Sequence, residues 1–569
     1  MNKRPIHLHA DRWAWLVLFA LFTAIILYSA RSTPLTFDSA RHALIARNVI
    51  EGHGFVVSYP DYTPLTITSS GPTLILPAAL IMALTGNQLW VPAFASAILN
   101  CSLLGIFLFY LQRILSSPRR MAATTALLLF FFLWYEPIWW THFIGETSAL
   151  LCLLIACAMA TNIPRPDAYK HYGLIGMMLA FSLLARPMTI PGIAGLGTYL
   201  LIAHIQYYKG RICWKNLGLM LAAGLFGLII AEMPFRFYEA WTVAQYDSVT
   251  YGQFWGTFIE AYANTSSSGV RHFLSGHAEN PFLINAKANL QLFSTVMHRY
   301  GINNILALAI WAGALMAGLT LSLRAKTKLD RLSGIVGWGL FYYSLWFFFL
   351  CQSAGMDRYL IHPILMALIL ITLLCARYRN ILSTTMLIGT LCLVMPTAQS
   401  TLLKQMITFA DIGWMEGHST QYNTEVITTA DFIASHSFTF PLMNCGWIGS
   451  TPELEYLLPR TGNFQDCFDV IEAALVPAEN TTDPQHAYRW RQPVNFTLVI
   501  NKLQWRFAKF FVPNRIRHKT LIQACAPQPV YDSLLYQILD CPFEALAKTI
   551  PTDRNTPFIG TPHEWLKTN

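Results

Sequence analysis

The sequence predicts an α-helical polytopic membrane protein that carries a small extracytoplasmic α/β domain at its C-terminus. Of the 569 residues, 54% are hydrophobic and 12% are charged, about half the ~25% charged fraction of a typical soluble domain. Apolar runs long enough to cross a bilayer recur as far as residue 397. From residue 398 onward the chain becomes more polar. We therefore predict a membrane domain over residues 1–397 and a soluble domain over residues 398–569.

About eleven apolar runs are candidates for transmembrane helices. The first follows Lys3, Arg4 and Arg12 and is expected to be an uncleaved signal anchor with a cytoplasmic N-terminus, although its small terminal residues also suit a cleaved signal peptide. The predicted spans are 13–30, 89–113, 122–140, 146–161, 172–185, 187–207, 216–233, 302–323, 332–351, 358–376 and 380–397.

The turns assigned to the cytoplasmic side are all basic, as is usual for inner loops. An odd number of spans then places residues 398–569 on the outer side. The formal net charge is +9, and the basic excess lies within the membrane domain, so it does not predict a nucleic-acid partner. The basic residues of these turns are Arg113, Arg119, Arg120, Arg165, Lys170, Lys209, Arg211, Lys215, Arg324, Lys326, Lys328, Arg331, Arg377 and Arg379.

A short apolar run at residues 71–86 is excluded from the spans. If it crossed the membrane, the next span would place Arg113, Arg119 and Arg120 outside, against the basic pattern of inner turns. We expect a juxtamembrane or re-entrant helix in the first outer loop.

The outer domain is expected to combine a helix at 425–436 with strands at 440–443 and 497–500. It contains Cys445, Cys467, Cys525 and Cys541, an even set that predicts two disulfides in an oxidising compartment. Three pairings are possible. Proximity in sequence favours Cys445–Cys467 and Cys525–Cys541.

The stretch Thr36-Phe37-Asp38-Ser39-Ala40 directly follows the first span, and a helix-like run and Gly52-His53-Gly54 come next. Asp38 suits a helix N-cap, and a carboxylate there can also accept the proton of an attacking hydroxyl. The pattern resembles the first outer loop of GT-C glycosyltransferases, especially the group of aminoarabinose transferases and protein O-mannosyltransferases. The resemblance covers about residues 13–400. It implies that Asp38 is the catalytic base or a ligand of a divalent metal.

Glu146, in the outer turn before the fourth span, is the second acidic candidate, and Glu136 competes with it. An acid at a helix N-terminus is also stabilised by the helix dipole alone. The resemblance implies a second acidic residue at this turn, acting in catalysis or in holding Mg²⁺ or Mn²⁺. His53 and His142 are possible further metal ligands, although lone histidines near a membrane are more often structural.

Arg186 precedes Pro187 between two apolar runs, where a guanidinium needs a partner or water. It either extends to the interface or, as the resemblance implies, binds the phosphate of the donor. Arg358 and Tyr359, at the start of the tenth span, are given the same donor-binding role. Ser69-Ser70-Gly71-Pro72 lacks the charges that aminoarabinose transferases tend to have at this place, so their substrate is not simply carried over.

The resemblance implies an enzyme on the outer face of a bacterial inner (plasma) membrane. It would move a sugar from polyprenyl phosphate to a hydroxyl of a glycan, lipid or protein, in contact with membrane lipids and without nucleic acid. Two alternatives stay open. One is a transporter or flippase of a lipid-linked glycan. A transporter would have ionisable residues deep within its spans, whereas those of this sequence lie mostly at span ends, which counts against this alternative. The other is a non-catalytic envelope assembly protein.

Overall fold

A computed structural model gives the structure of the protein, and every structural statement below concerns the residues that it describes. These are residues 7–31, 33, 35, 37–55, 71–115, 127–128, 136–163, 168–244, 281–299, 303–351, 358–377, 419–444, 452–458, 465–466, 475–477, 488–490, 492–502, 522, 525 and 529–549.

The chain divides into two compact units. Met1–Thr33 and Ile45–Ile407 form the first, which we name the membrane unit. Pro34–Leu44 and Thr408–Asn569 form the second, named the C-terminal unit. The predicted division at residue 397 falls between the described segments 358–377 and 419–444. The inclusion of Pro34–Leu44 in the C-terminal unit has no counterpart in the predicted division.

The part of the membrane unit that the structure describes is helical throughout. Its helices are α1 His7–Ser29, α2 Phe37–Ile50 (which begins in the C-terminal unit), α3 Pro72–Thr85, α4 Trp90–Ile114, α5 Glu136–Thr141, α6 Glu146–Ala160, α7 Tyr169–Ala185, α8 Ile190–Tyr207, α9 Trp214–Val243, α10 Pro281–Arg299, α11 Asn304–Leu323, α12 Lys328–Leu345 and α13 Arg358–Arg377. Gly86 follows α3, Arg186-Pro187 follows α7 and Arg324 follows α11, in agreement with the usual helix stop signals. A 3₁₀ turn, Pro187–Thr189, precedes α8, and a π turn, Trp346–Leu350, follows α12.

Five helices in the described segments are long and apolar enough to cross a membrane: Trp90–Ile114, Pro187–Tyr207, Trp214–Phe235, Asn304–Leu323 and Lys328–Leu350. Shorter apolar helices are Leu16–Ser29, Pro72–Thr85, Glu146–Ala160 and His362–Arg377. This arrangement bears out the predicted polytopic helical fold. The span predicted at 380–397 and most of the one at 122–140 lie outside the described residues, so the number eleven stays a prediction.

Helix α6 is the centre of the membrane unit. Every one of its residues except Met159 is buried. A helix that is apolar on all sides belongs in the interior of a bundle. The polar residue at its first position is therefore buried as well, and this places Glu146 inside the protein.

Helices α7 and α9 approach each other through glycines. A Cβ atom at Gly176 would collide with the carbonyl oxygen of Gly224, and one at Gly227 with that of Gly173. Small residues let helix backbones pack closely within a membrane, where apolar burial alone gives little driving force. These glycines therefore determine how closely α7 and α9 pack.

The C-terminal unit is a small α/β structure, as predicted. A five-stranded mixed sheet has the order β2-β1-β5-β7-β6, with β1 parallel to both of its neighbours and β7 antiparallel to β5 and β6. Strands β3 and β4 form a separate antiparallel pair. The elements are α14 Ser419–Ser435, β1 Leu442–Asn444, α15 Pro452–Leu457, β2 Gln465–Asp466, β3 Leu475–Pro477, β4 Tyr488–Trp490, β5 Phe496–Asn501, β6 Tyr531–Asp532, β7 Tyr536–Cys541 and α16 Phe543–Thr549.

The cysteines of this unit include one disulfide among the described residues. Cys525 is joined to Cys541, at the end of β7. This is one of the two pairings that proximity in sequence favours. Cys445 and Cys467 lie outside the described residues, and their pairing stays a prediction.

Candidate functional site

Glu146 is the first residue of α6, and its carboxylate lies inside the membrane unit. The preceding Gly145 has φ 82°, a left-handed conformation that favours glycine and lets the chain turn sharply into the helix. Glu146 is 1% exposed. The N-terminus of α6 favours a negative charge at this place because its backbone amides and helix dipole point toward it.

Arg186 pairs with Glu146. The Arg186 Nη2 atom lies 3.3 Å from Glu146 Oε1, and Nη1 donates to the Ile144 carbonyl at 3.3 Å. Arg186 follows the last residue of α7 in an extended conformation, as expected before Pro187, and is 4% exposed. Two residues that the sequence assigns to separate roles are thus in direct contact.

His362, on α13, is a third member of this cluster and was not among the predicted site residues. Its Nε2 atom lies 3.1 Å from the Glu146 carbonyl oxygen, and its ring is edge-on to that of Tyr343 at a centroid distance of 5.8 Å. A carbonyl only accepts, so Nε2 of His362 carries a proton and donates it to this hydrogen bond. The signal was present in the sequence, because an ionisable residue within an apolar span indicates a functional or structural polar site.

The turn that leads to Glu146 is held by buried polar side chains from several parts of the membrane unit. Asn100 Nδ2 on α4 donates to the Trp140 carbonyl at 2.9 Å, and the Ser148 hydroxyl donates to Asn100 Oδ1 at 2.6 Å. Thr33, beyond α1, contributes a hydroxyl contact of 2.7 Å to Thr141. Each of these groups is buried. This network fixes the backbone on which Glu146 is presented.

The start of α3 packs closely on the end of α7, two residues before Arg186. A Cβ atom at Gly71 would collide with the Leu184 carbonyl oxygen, and the Thr73 hydroxyl donates to the Phe181 carbonyl at 3.0 Å. The glycine that precedes α3 is therefore required by a close backbone approach. Ser69 and Ser70 lie outside the described residues.

Asp38 is the second residue of α2, and its side chain is not among those that the structure describes. Arg358 opens α13, and its side chain is likewise outside the described set. Tyr359 is half-buried, with its ring centroid 6.3 Å from that of Trp346. The predicted roles of these three residues stay predictions.

His53, a predicted metal ligand, lies beside Glu51, with Nε2 3.9 Å from Oε2. Glu51 also pairs with Arg47 of α2, whose Nε is 2.7 Å from Oε1. Within the described side chains, no group of three or more His, Cys, Asp or Glu residues could hold a metal ion. The side chain of Asp38 is outside the described set, so the predicted metal site of Asp38, Glu146 and His53 stays a prediction.

A separate polar cluster lies within the C-terminal unit. Glu453 Oε1 accepts from Asn501 Nδ2 at 2.9 Å and from the Tyr536 hydroxyl at 2.8 Å. Burial raises the pKa of Glu453. Burial, with the nearby Glu453 as a smaller cause, also raises the pKa of Glu455 to about 8, although Arg41 acts in the opposite direction. Glu453 is thus held in a buried hydrogen-bond network, and both carboxyl groups have a raised pKa that favours the neutral form.

Comparisons with solved structures identify the fold. ArnT from Cupriavidus metallidurans, an aminoarabinose transferase, aligns in its complex with undecaprenyl phosphate over 94% of this chain and 99% of its own, with a TM-score of 0.53 and 14% identity. Its apo form aligns over the same shares with a TM-score of 0.50 and 13% identity. An oligosaccharyltransferase from Archaeoglobus fulgidus, in complex with Zn and sulfate, aligns over 94% of this chain and 76% of its own, with a TM-score of 0.47 and 12% identity.

No protein-family model and no curated protein matches the sequence. The similarity to ArnT extends through both units of the chain, since it covers nearly the whole of each protein. The chain therefore shares the fold of ArnT, and the predicted polytopic helical fold with a small C-terminal α/β domain is confirmed.

Proposed function

We propose that this protein is an integral-membrane glycosyltransferase. It moves a sugar from a polyprenyl-phosphate donor, such as an undecaprenyl-phosphate sugar, to an acceptor hydroxyl at the outer side of a bacterial inner membrane. Cell-envelope glycan or lipopolysaccharide is the acceptor class. The observation that carries the proposal is the alignment of nearly the full chain with ArnT bound to undecaprenyl phosphate. Because one fold can host several functions, the proposal also needs residues that suit the chemistry.

The reaction needs a base, a cation for the leaving group and a fixed geometry. The acceptor oxygen attacks the anomeric carbon and loses its proton, while the bond from that carbon to the phosphate oxygen breaks and polyprenyl phosphate leaves with the electron pair. We assign Asp38 to accept the proton. Arg358 and Tyr359 are assigned to the donor phosphate, for which a guanidinium offers permanent charge and paired donors.

The Glu146–Arg186 pair supports this reaction from within the membrane unit. Arg186 is buried and directs its two terminal nitrogens to Glu146 and to the Ile144 carbonyl. This geometry favours a role in fixing the outer turn between α5 and α6. Direct contact of Arg186 with the donor phosphate, and of Glu146 with the acceptor or a metal, stays a prediction.

The donor class is tested with purified full-length protein in detergent and a panel of polyprenyl-phosphate sugars. The measured quantity is the free polyprenyl phosphate released when an acceptor extract is present. We expect release with at least one donor and none with the matching nucleotide sugars. A folded protein that releases nothing from any donor, but binds or moves the lipid, would favour the transporter or assembly alternatives. Adding EDTA to the active reaction tests the predicted metal.

A further inference from the structure

The segment that carries Asp38 belongs to the C-terminal unit, although the membrane unit flanks it in sequence. Pro34–Leu44 groups with Thr408–Asn569, and the boundary between the units falls within α2, between Leu44 and Ile45. The first turns of α2 are thus part of a structure whose remaining residues lie more than 360 positions further along the chain.

A hydrogen bond anchors the start of this segment. The Leu35 backbone amide donates to Asn423 Oδ1 on α14 at 3.4 Å. Leu35 itself is 2% exposed. The bond lies three residues before Asp38, so it restrains the backbone directly ahead of the acidic residue.

Five residues in the first half of α2 are also buried. Their burial limits the ways in which the helix can shift, because interiors are packed at the density of organic crystals. The buried residues are Ser39, Ala40, His42, Ala43 and Leu44, each with 6% exposure or less.

Arg41, in the first half of α2, interacts electrostatically with another helix of the C-terminal unit. Arg41 follows Asp38 by three positions, and its positive charge lowers the pKa of Glu455 on α15, opposing the larger effects of burial and Glu453. α2 is therefore within electrostatic range of α15, and Leu35, two residues before α2, is hydrogen-bonded to α14.

We propose that Asn423 is a positioning residue for the segment that carries Asp38, the base of the proposed reaction. This rests on the proposed function for the role of Asp38. Asn423 acts through the Leu35 amide and does not touch the substrate. Reaction rates depend steeply on the position of a catalytic group, so a loosened anchor lowers turnover more than it lowers donor binding.

The test compares three variants of the full-length protein. Asn423→Leu removes the acceptor at similar volume, Asn423→Asp keeps an oxygen at the same place, and Thr424→Ala alters the exposed neighbouring position of α14. Hydrogen exchange of peptides that cover residues 35–44 reports the anchor directly. Release of polyprenyl phosphate gives kcat and the KM for the donor, and Asp38→Asn serves as the reference for loss of the base.

We expect Asn423→Leu to speed exchange over residues 35–44 by about twofold to tenfold, the range that one hydrogen bond supports. Exchange in β5 and β7 should not change. kcat should fall by a similar factor at unchanged KM, and Asn423→Asp and Thr424→Ala should behave like the wild type.

Three results would overturn the proposal: unchanged exchange over residues 35–44, an equal rise throughout the C-terminal unit, or faster local exchange with unchanged kcat while Asp38→Asn is inactive. A fully active Asp38→Asn variant would instead refute the proposed role of Asp38. In that case the exchange data alone decide whether Asn423 holds the segment.

Discussion

Removing Arg186 should destabilise the membrane unit strongly, because it removes a cation that lies 3.3 Å from the buried Glu146 carboxylate. The two charges are 3.3 Å apart with side-chain exposures of 5% and 1%. At an effective dielectric constant of about 20 their attraction is about 5 kcal/mol, which desolvation partly offsets. Breaking a buried pair by removing one partner costs about 3–5 kcal/mol. We expect Arg186→Met to lower the free energy of unfolding by this amount.

The assay is SDS-induced unfolding of the purified protein, followed by intrinsic tryptophan fluorescence. The double variant Arg186→Met/Glu146→Leu should recover most of the loss, since an apolar replacement of a buried pair is often neutral or stabilising. Arg324→Met, at an exposed position after α11, is the matched control and should stay within about 0.5 kcal/mol of the wild type. If Arg186→Met unfolds with the wild-type midpoint, the pair is not a buried ion pair.

Two further predictions concern other parts of the fold. Gly71→Ala places a methyl group against the Leu184 carbonyl and should lower the free energy of unfolding by about 1–3 kcal/mol in the same assay. Gly197→Ala is the control, because a methyl group there meets open space, and it should be neutral or slightly stabilising. Equal effects of the two substitutions would contradict the close approach of Gly71 to Leu184. The pKa of Glu455 is raised from 4.5 to about 8, so the folded state holds an extra proton in that window and stability falls as pH rises through it. The melting temperature of Glu455→Gln should therefore fall less between pH 5 and 8 than that of the wild type. Glu544→Gln, at an exposed position, is the control and should behave like the wild type. If the melting temperature of Glu455→Gln falls with pH as steeply as that of the wild type, Glu455 does not titrate in this range.

The helices of the membrane unit follow closely from the sequence because each is set by a local apolar run. The run predicted at 146–161 is Glu146–Ala160 in the structure, and that predicted at 302–323 is Asn304–Leu323. The end of α3 at Gly86 and that of α7 at Arg186-Pro187 also follow from local residues, because Gly and Pro act within a few positions. The strand predicted at 497–500 is likewise found within Phe496–Asn501.

Contacts between distant residues could not be predicted in the same way. The chemistry of Glu146 and Arg186 was recognised separately, but their pairing depends on how α6 and α7 pack, and single-sequence patterns carry no such information. The position of His362 at this site could not be predicted either, because a single histidine in an apolar span does not indicate which residue it contacts. The inclusion of Pro34–Leu44 in the C-terminal unit depends on contacts between residues far apart in the chain, such as Leu35 and Asn423, which are separated by 388 positions.

The most direct test of the proposed reaction is the rate of polyprenyl phosphate release by Asp38→Asn, relative to the wild type and to Asp431→Asn, the same change at an exposed position of α14. General-base catalysis typically contributes about 10²–10⁴-fold. We expect a loss of that size for Asp38→Asn, with a wild-type melting temperature, and no loss for Asp431→Asn. Full activity of a folded Asp38→Asn variant would contradict the assignment of Asp38 as the base.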